Sequence, residues 1–203
     1  MKKMLLALSV LLSISNAIAQ EFREDELLEL NKKLIDVSSQ MYNSAMFLHN
    51  ENNTIDQIVT LVNGIHEAYN KKKYEGLSTS KIYKLGILQK TDEISTDNIS
   101  NPFGGSVELK ISEAIKGKKN SAFILTYTKL PRKVCIDLAT ANWGISPENG
   151  FITLSANNKF SEIPWYIDKK YMETEYESKS MTNEQAEKSC YKNVDNEVSL
   201  KFH

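Results

Sequence analysis

The sequence has little of what reactive centres are built from. Only three of its 203 residues are histidine, and none of them stands at the spacing by which one helix presents two histidines to a metal. There is no G-x-S-x-G nucleophile motif and no glycine-rich phosphate loop. We therefore predict that the protein is not an enzyme. We also predict no catalytic residue, no metal site and no cofactor.

The sequence also lacks an excess of either charge. It has 25 lysines and arginines against 26 aspartates and glutamates, a formal net charge of −1. A nucleic-acid partner requires a basic face that neutralises phosphates. One compact basic run, Lys71–Lys73, is better interpreted as a solvated helix end. The composition predicts no nucleic-acid partner.

Long apolar runs are scarce as well, and the one present lies at the N-terminus. Two lysines precede an apolar run from Met4 to Ile14, and Ala17-Ile18-Ala19 then gives the small-residue pattern of a signal-peptidase site. The run is shorter than the roughly 20 residues that span a bilayer. We predict a signal peptide at 1–19 and a soluble mature chain from Gln20, without a membrane span, in the periplasm or outside the cell. An uncleaved anchor is the alternative.

Cysteine occurs twice, as Cys135 and Cys190. An exported chain meets an oxidising compartment, and two cysteines leave a single pairing to consider. The spacing is not the C-x-x-C of a redox-active pair. We predict a structural disulfide, with two buried free thiols as the alternative.

Residues 21–49 have the pattern of an amphipathic helix. Apolar residues recur at alternating steps of three and four among charged and amide side chains. We name this set the α1 stripe: Leu27, Leu30, Leu34, Val37 and Met41. The spacing suits a seam between helices, so the stripe is a candidate contact surface. The alternative is that it folds back onto the protein's own core.

A second helix is predicted after a polar interruption at Asn50–Asn53, either separate from the first or joined to it as one bent rod. Thr54 is a suitable N-cap, and apolar residues on one face follow as far as Tyr69. The predicted division is therefore a helical region at 20–53 and a head domain at 54–203.

Strand and turn patterns dominate the chain after Tyr74. Four alternating or β-branched segments are predicted as strands: Ser106–Ile111, Ala122–Thr128, Gly150–Ser155 and Glu197–Phe202. Short helices are predicted near Ser80–Leu85, after Pro131 and over Thr182–Cys190, the last with a capping box. The predicted fold class is α+β, a long N-terminal helical region packed on an antiparallel sheet.

The order of these features resembles the head of type IV pilins, particularly of the type IVb group. The resemblance covers 54–203 and is carried by an ordered set of segments: Ile65–Tyr69, Lys73–Ser78, Asn101–Gly105, Phe123–Tyr127, Leu130–Leu138, Ala186–Cys190 and Val198–Phe202. It implies a helix packed on an antiparallel sheet, with the disulfide pinning the C-terminal region.

The N-terminal segment departs from the pilin pattern. No glycine precedes the apolar run and no acidic residue lies within it. We therefore predict that the chain does not polymerise as a conventional pilin subunit and lacks the pilin's membrane helix.

Two functional interpretations follow. The first is an accessory or minor component of a type IVb pilus or conjugative system, which contacts a pilin, a pilus-assembly protein or another copy of itself. The alternative is a secreted recognition protein or adhesin that binds a host or cell-surface ligand. Aromatic residues that fit such a pocket are Trp143, Trp165 and Tyr166, although core packing explains them as well. A third interpretation is an unrelated α+β periplasmic enzyme.

Overall fold

The computed structural model describes residues 24–70, 73–88, 94–143, 150–160 and 180–203. The predicted signal peptide, the start at Gln20, and Lys71, Trp165 and Tyr166 lie outside these ranges. The chain divides into two compact units, one ending at Leu48 and the other covering His49–His203. Among the described helices, none is long and apolar enough to cross a membrane.

The described chain contains four helices and five strands. The helices are α1 (Glu24–Tyr69), α2 (Thr79–Leu85), α3 (Arg132–Thr140) and α4 (Asn183–Ser189). The strands are β1 (Val107–Ser112), β2 (Ala122–Leu130), β3 (Phe151–Ala156), β4 (Lys159–Phe160) and β5 (Asn196–Phe202). The α+β prediction is confirmed, and each predicted strand has an observed counterpart within two residues at either end. The two-residue strand β4 was not predicted.

The strands form one antiparallel sheet in the order β1-β2-β5-β3-β4. A row of leucines crosses four of them, because Leu109 pairs with Leu125, Leu125 with Leu200, and Leu200 with Leu154. The last three are fully buried. The C-terminal strand β5 therefore lies in the middle of the sheet, and its pairing joins β2 to β3.

The predicted helix break at Asn50–Asn53 is wrong, and so is the prediction that Thr54 caps a second helix. Helix α1 runs through this segment. The Thr54 hydroxyl donates to the Asn50 carbonyl at 2.8 Å, a bond made inside a helix rather than at its start. The polar residues at 50–53 have only slightly lower helix propensities than alanine. The Thr54–Asn50 hydrogen bond and the ion pair described next offset this cost.

An ion pair anchors the same segment of α1 to α3. Lys133 Nζ donates to the Glu51 carboxylate at 3.0 Å and to Asp137 Oδ2 at 2.6 Å. Desolvation raises the pKa of Glu51, although Lys133 acts in the opposite direction, and the two carboxylates raise the pKa of Lys133. Glu51 is thus held at its half-buried position by a cation from another element.

The core of the second unit lies between α1 and the sheet. Four apolar residues of α1 are buried there: Ile58, Leu61, Val62 and Ile65. The Phe123 ring lies 4.9 Å from that of Tyr74 and 5.6 Å from those of Phe202 and His66. This is the predicted helix-on-sheet packing.

The turn at Asn101–Gly105 is built around the Asn101 side chain. Its Oδ1 accepts from the backbone N–H groups of Phe103 and Gly105, and its Nδ2 donates to the Thr128 carbonyl at 2.8 Å. A Cβ at Gly105 would overlap that carbonyl oxygen. Glycine at 105 therefore allows the turn to pack directly against β2.

We expect Gly105→Ala to lower the free energy of unfolding by roughly 1–3 kcal/mol, because a Cβ overlaps fixed backbone. Gly104 is the matched control: its φ is +77° and nothing lies within 4 Å of an added Cβ. Asparagine tolerates that conformation, so Gly104→Asn should cost about 1 kcal/mol or less. Denaturant unfolding of both variants checks this ranking. Equal losses would contradict it.

Lys201 is a buried cation in the central strand β5. It pairs with Ile124 on one side and Thr153 on the other, and 1% of it is exposed. Burial lowers the pKa of its ammonium group to about 8, against a smaller upward effect of Glu113. Keeping this lysine charged in the folded protein therefore costs roughly 2–4 kcal/mol below that pH.

The pH dependence of stability follows from this shift. Between about pH 8 and the ordinary lysine pKa of about 10.4, the unfolded chain holds a proton that the folded chain releases. We expect the melting temperature to rise from pH 8 to about 9.5, and Lys201→Met to abolish the rise. Burial raises the pKa of Tyr69 and Tyr74, so stability falls again above about pH 10. If the melting temperature of Lys201→Met rose with pH as that of the wild type does, the rise would have to come from another titrating group.

Candidate contact surface and disulfide-linked head

The α1 stripe is exposed along its whole length. The five side chains are between 46% and 69% exposed, Leu27 least and Met41 most. Apolar surface on this scale is otherwise buried in globular proteins or marks a contact site. The prediction of a contact surface fits this exposure, and the identity of the partner stays a proposal.

The exposed apolar surface is wider than the stripe. Leu28, Ile35 and Tyr42 are each at least 58% exposed and follow one another at seven-residue spacing. They lie one position after Leu27, Leu34 and Met41, about 100° further around the helix. Sequence analysis missed them, although the spacing was visible. The surface is therefore broader than the narrow seam of a two-stranded coiled coil.

The two cysteines form the predicted disulfide and join α3 to the end of α4. The Cα atoms of Cys135 and Cys190 are 5.8 Å apart, and both residues are fully buried. The bond closes a loop with a sequence separation of 55, for which the chain-entropy account gives roughly 4 kcal/mol. The predicted capping box on α4 is also present: the Gln185 N–H donates to Thr182 Oγ1 and the Thr182 N–H donates to Gln185 Oε1. Covalent and capping interactions together order two short helices.

We expect replacement of Cys135 and Cys190 by serine to lower the free energy of unfolding by roughly 2–5 kcal/mol. Wild-type protein under reducing conditions should show a similar loss, and the double variant should then be indifferent to the reductant. Denaturant unfolding with and without reductant measures both. A double variant of wild-type stability that had lost its function would instead indicate a thiol role.

The histidines lie apart and make separate contacts. His49 Nε2 is 3.0 Å from the Asn53 amide on the exposed side of α1, and His66 is buried against Phe123. Within the described ranges, no three histidine, cysteine, aspartate or glutamate side chains are close enough to hold a metal ion.

Trp143 has a local structural contact. Its indole N–H donates to the Leu138 carbonyl at 2.9 Å, near the end of α3. The ring also borders a small groove of about 120 Å³ beside Val59 and Phe202. Of the three aromatic residues considered for a pocket, Trp143 is the one whose position is described, and its local contact fits the packing role that the sequence favours.

Comparison with known proteins agrees with this geometry. The model of the family described as PilS N terminal matches residues 48–202. The major structural subunits of the bundle-forming pilus from Escherichia coli O111:H- and O127:H6 are each 30% identical over 126 residues. The match covers 60% of this chain and 63% of each of those proteins, so the chain spans less than two thirds of the length of these relatives.

The fold has a counterpart among solved structures. The crystal structure of TcpA, a type IV pilin from Vibrio cholerae El Tor biotype, superposes with a TM-score of 0.50 and 14% sequence identity. The superposition covers 76% of this chain and 99% of that pilin. The similarity is one of fold.

Proposed function

The chain belongs to the PilS N-terminal family and has the fold of a type IV pilin head, and on this premise we propose that it acts by protein–protein contact as an accessory or minor component of a type IVb pilus or conjugative system. The partner is a pilin, a pilus-assembly protein or another copy of the chain. Membership of this family supports the interpretation as a pilin-like protein over the interpretation as an unrelated enzyme.

The exposed α1 stripe is the observation that supports this proposal most directly. Leu30, Leu34 and Val37 are each more than half exposed on a regular helical face. In water such a face favours association with another apolar surface. A second helix with the same periodicity is the simplest complement, because its side chains interdigitate at three- and four-residue spacing.

The breadth of the surface favours more than one neighbouring helix. Leu28, Ile35 and Tyr42 would stay exposed in a two-helix seam formed by the stripe alone. A second neighbour would cover them. This is the environment of a helix within an assembly of helices, as expected for a pilus component.

We further propose that the protein works outside the cytoplasm without catalysing a reaction. The buried Cys135–Cys190 disulfide suits an oxidising compartment. The relatives that match are described as structural subunits of a pilus. The minor or accessory role is likewise proposed and rests on the exposed apolar surface of α1.

We expect the double variant Leu30→Asp, Leu34→Asp to lose self-association or binding to pilus components by at least about tenfold. The proposed contact would bury both leucines, so their replacement by carboxylates forfeits that apolar burial and places charge at the contact. The unfolding transition of the head should stay within about 0.5 kcal/mol of wild type, as for exposed sites. Sedimentation of the purified chain and binding to the purified major pilin measure association, and calorimetry measures the head.

The matched control is Gln40→Asp, Asn43→Asp, which introduces the same two residues on the exposed face of α1 that carries neither the α1 stripe nor Leu28, Ile35 and Tyr42. It should bind like wild type. Equal loss in both variants would mean that added charge merely weakens the helix. Melting of the head in the leucine variant alone would assign the stripe to the core.

Fractionation of cells distinguishes the two roles within the proposal. Detection of the protein in sheared pili indicates a minor subunit, whereas periplasmic protein that binds pilus-assembly proteins through α1 indicates an accessory. Absence from both fractions would contradict the proposal.

A further inference from the structure

A polar cleft of about 240 Å³ opens where the β3–β4 turn meets the segment between α4 and β5. It lies wholly within the second unit. Its volume equals that of roughly eight water molecules in the liquid, which is suited to one sugar ring rather than to a large apolar ligand.

Two asparagines hold the floor of the cleft rigid. Asn157 Nδ2 donates to the Ser189 carbonyl at 2.9 Å and to Asn196 Oδ1 at 2.8 Å. The fully buried Asn196 donates in turn to the carbonyls of Leu130 and Lys192. Because these amides bond to the protein itself, the floor is preorganised and the ligand-binding groups must lie on the walls.

The walls present an aromatic ring and side chains whose polar ends are not engaged. Tyr191 is 61% exposed, follows the disulfide-bonded Cys190, and has Lys159 Nζ at 5.6 Å from its ring centroid. Lys129, Asn158 and Glu197 also line the cleft, and within the described ranges their side chains make no hydrogen bond or ion pair. They offer an ammonium donor, an amide that both donates and accepts, and a carboxylate acceptor.

Lys129 stands in a conformation that disfavours a lysine. Its φ is +55°, at the point where the register between β2 and β5 shifts. Glycine would adopt this left-handed conformation without cost, whereas a residue with a Cβ is strained there. A costly side chain at the mouth of a cleft points to a role for that side chain outside the folding of the chain.

The charges of the cleft narrow the class of ligand. Among the lining residues Lys129 and Lys192 are balanced by Asp195 and Glu197, and the Lys159 ammonium group beside Tyr191 already donates to the Lys188 carbonyl at 3.1 Å. Neither a phosphate nor a cation is therefore favoured. Apart from Tyr191, the lining is too polar for a lipid chain. A neutral saccharide matches it, because its hydroxyls donate and accept hydrogen bonds while its C–H face packs on an aromatic ring.

We propose that this cleft binds a neutral saccharide, with Tyr191 packed on the sugar ring and Lys129, Asn158 and Glu197 bonded to its hydroxyls. The site is independent of the α1 stripe. It gives the head a recognition function besides assembly.

The test is an NMR titration of the isotope-labelled mature chain with four neutral probes: the methyl glycosides of galactose, glucose, mannose and N-acetylglucosamine. Concentrations extend to roughly 50 mM, which detects dissociation constants in the millimolar range. We expect at least one glycoside to shift the amides around Lys129, Asn158 and Tyr191. Tyr191→Ala should weaken binding at least about tenfold, as expected for an aromatic anchor.

The variant Lys129→Gly distinguishes an effect on saccharide binding from an effect on stability. It should weaken binding several-fold while leaving the melting temperature unchanged or raised, because it relieves backbone strain. Val194→Ala is the control, since Val194 is 67% exposed in the same segment but does not line the cleft. It should bind like wild type.

Several results would overturn the proposal. These are no shift with any of the four glycosides, shifts confined to another face, or full binding by Tyr191→Ala. A stronger response of the same amides to inorganic phosphate would make the cleft an anion site. Shifts of these amides that depend on protein concentration without sugar would make it an interface between copies of the chain.

Discussion

The fold depends on the burial of one helical face against the sheet. Ile58, Leu61 and Ile65 of α1 are fully buried, as are Phe123 and nearly all of Phe202 in the sheet. Burying three such side chains contributes roughly 5–9 kcal/mol, which is comparable to the whole stability of a small domain. The apolar periodicity also occurs earlier in α1, where Leu30 and Leu34 are exposed. One pattern therefore builds a core in one unit and leaves a surface in the other.

The segment that leads into β5 is ordered by covalent and polar interactions. The disulfide joins α3 to α4, and Asn196 connects the end of β2 to the segment before β5. Since β5 lies between β2 and β3, disorder at its start would disturb both pairings. The same interactions hold Tyr191 in place at an exposed position. The disulfide and the Asn196 hydrogen bonds that stabilise the fold therefore also preorganise the cleft.

Local sequence patterns predicted most elements of the fold. The strands followed from alternation and β-branched residues, the capping box from Thr182 and Gln185, and the disulfide from a single available pairing. The failures arose where a distant contact outweighs local preference. Residues 50–53 contain three asparagines, yet α1 continues through them, and Lys133 from another element bonds to Glu51 there. The sequence around residues 50–53 does not predict that contact.

The candidate sites were predictable to different degrees. The three- and four-residue spacing of the α1 stripe predicts a contact surface. The adjoining row of Leu28, Ile35 and Tyr42 was not predicted, because it repeats only every seven residues. The cleft was not predictable. It depends on the shifted register at Lys129 and on the contact between two segments about 40 residues apart in the sequence, which Asn157 and Asn196 represent. Such a site has no periodic signal in the sequence.

The free energies of apolar burial and of association also indicate which kind of association α1 supports. Full burial of a large apolar side chain contributes about 1.5–3 kcal/mol, and the five stripe residues have about half of their surface left to bury. A contact that buries the stripe and a matching stripe on its partner would then gain roughly 8–15 kcal/mol, against an association cost of roughly 4–15 kcal/mol. A single pair of helices is therefore close to balance. A second neighbouring helix that covered Leu28, Ile35 and Tyr42 would add further free energy of apolar burial on the same helix. Several simultaneous contacts also raise the effective concentration of each helix near its neighbours. The exposed face of α1 is thus better suited to a multi-helix assembly than to an isolated dimer.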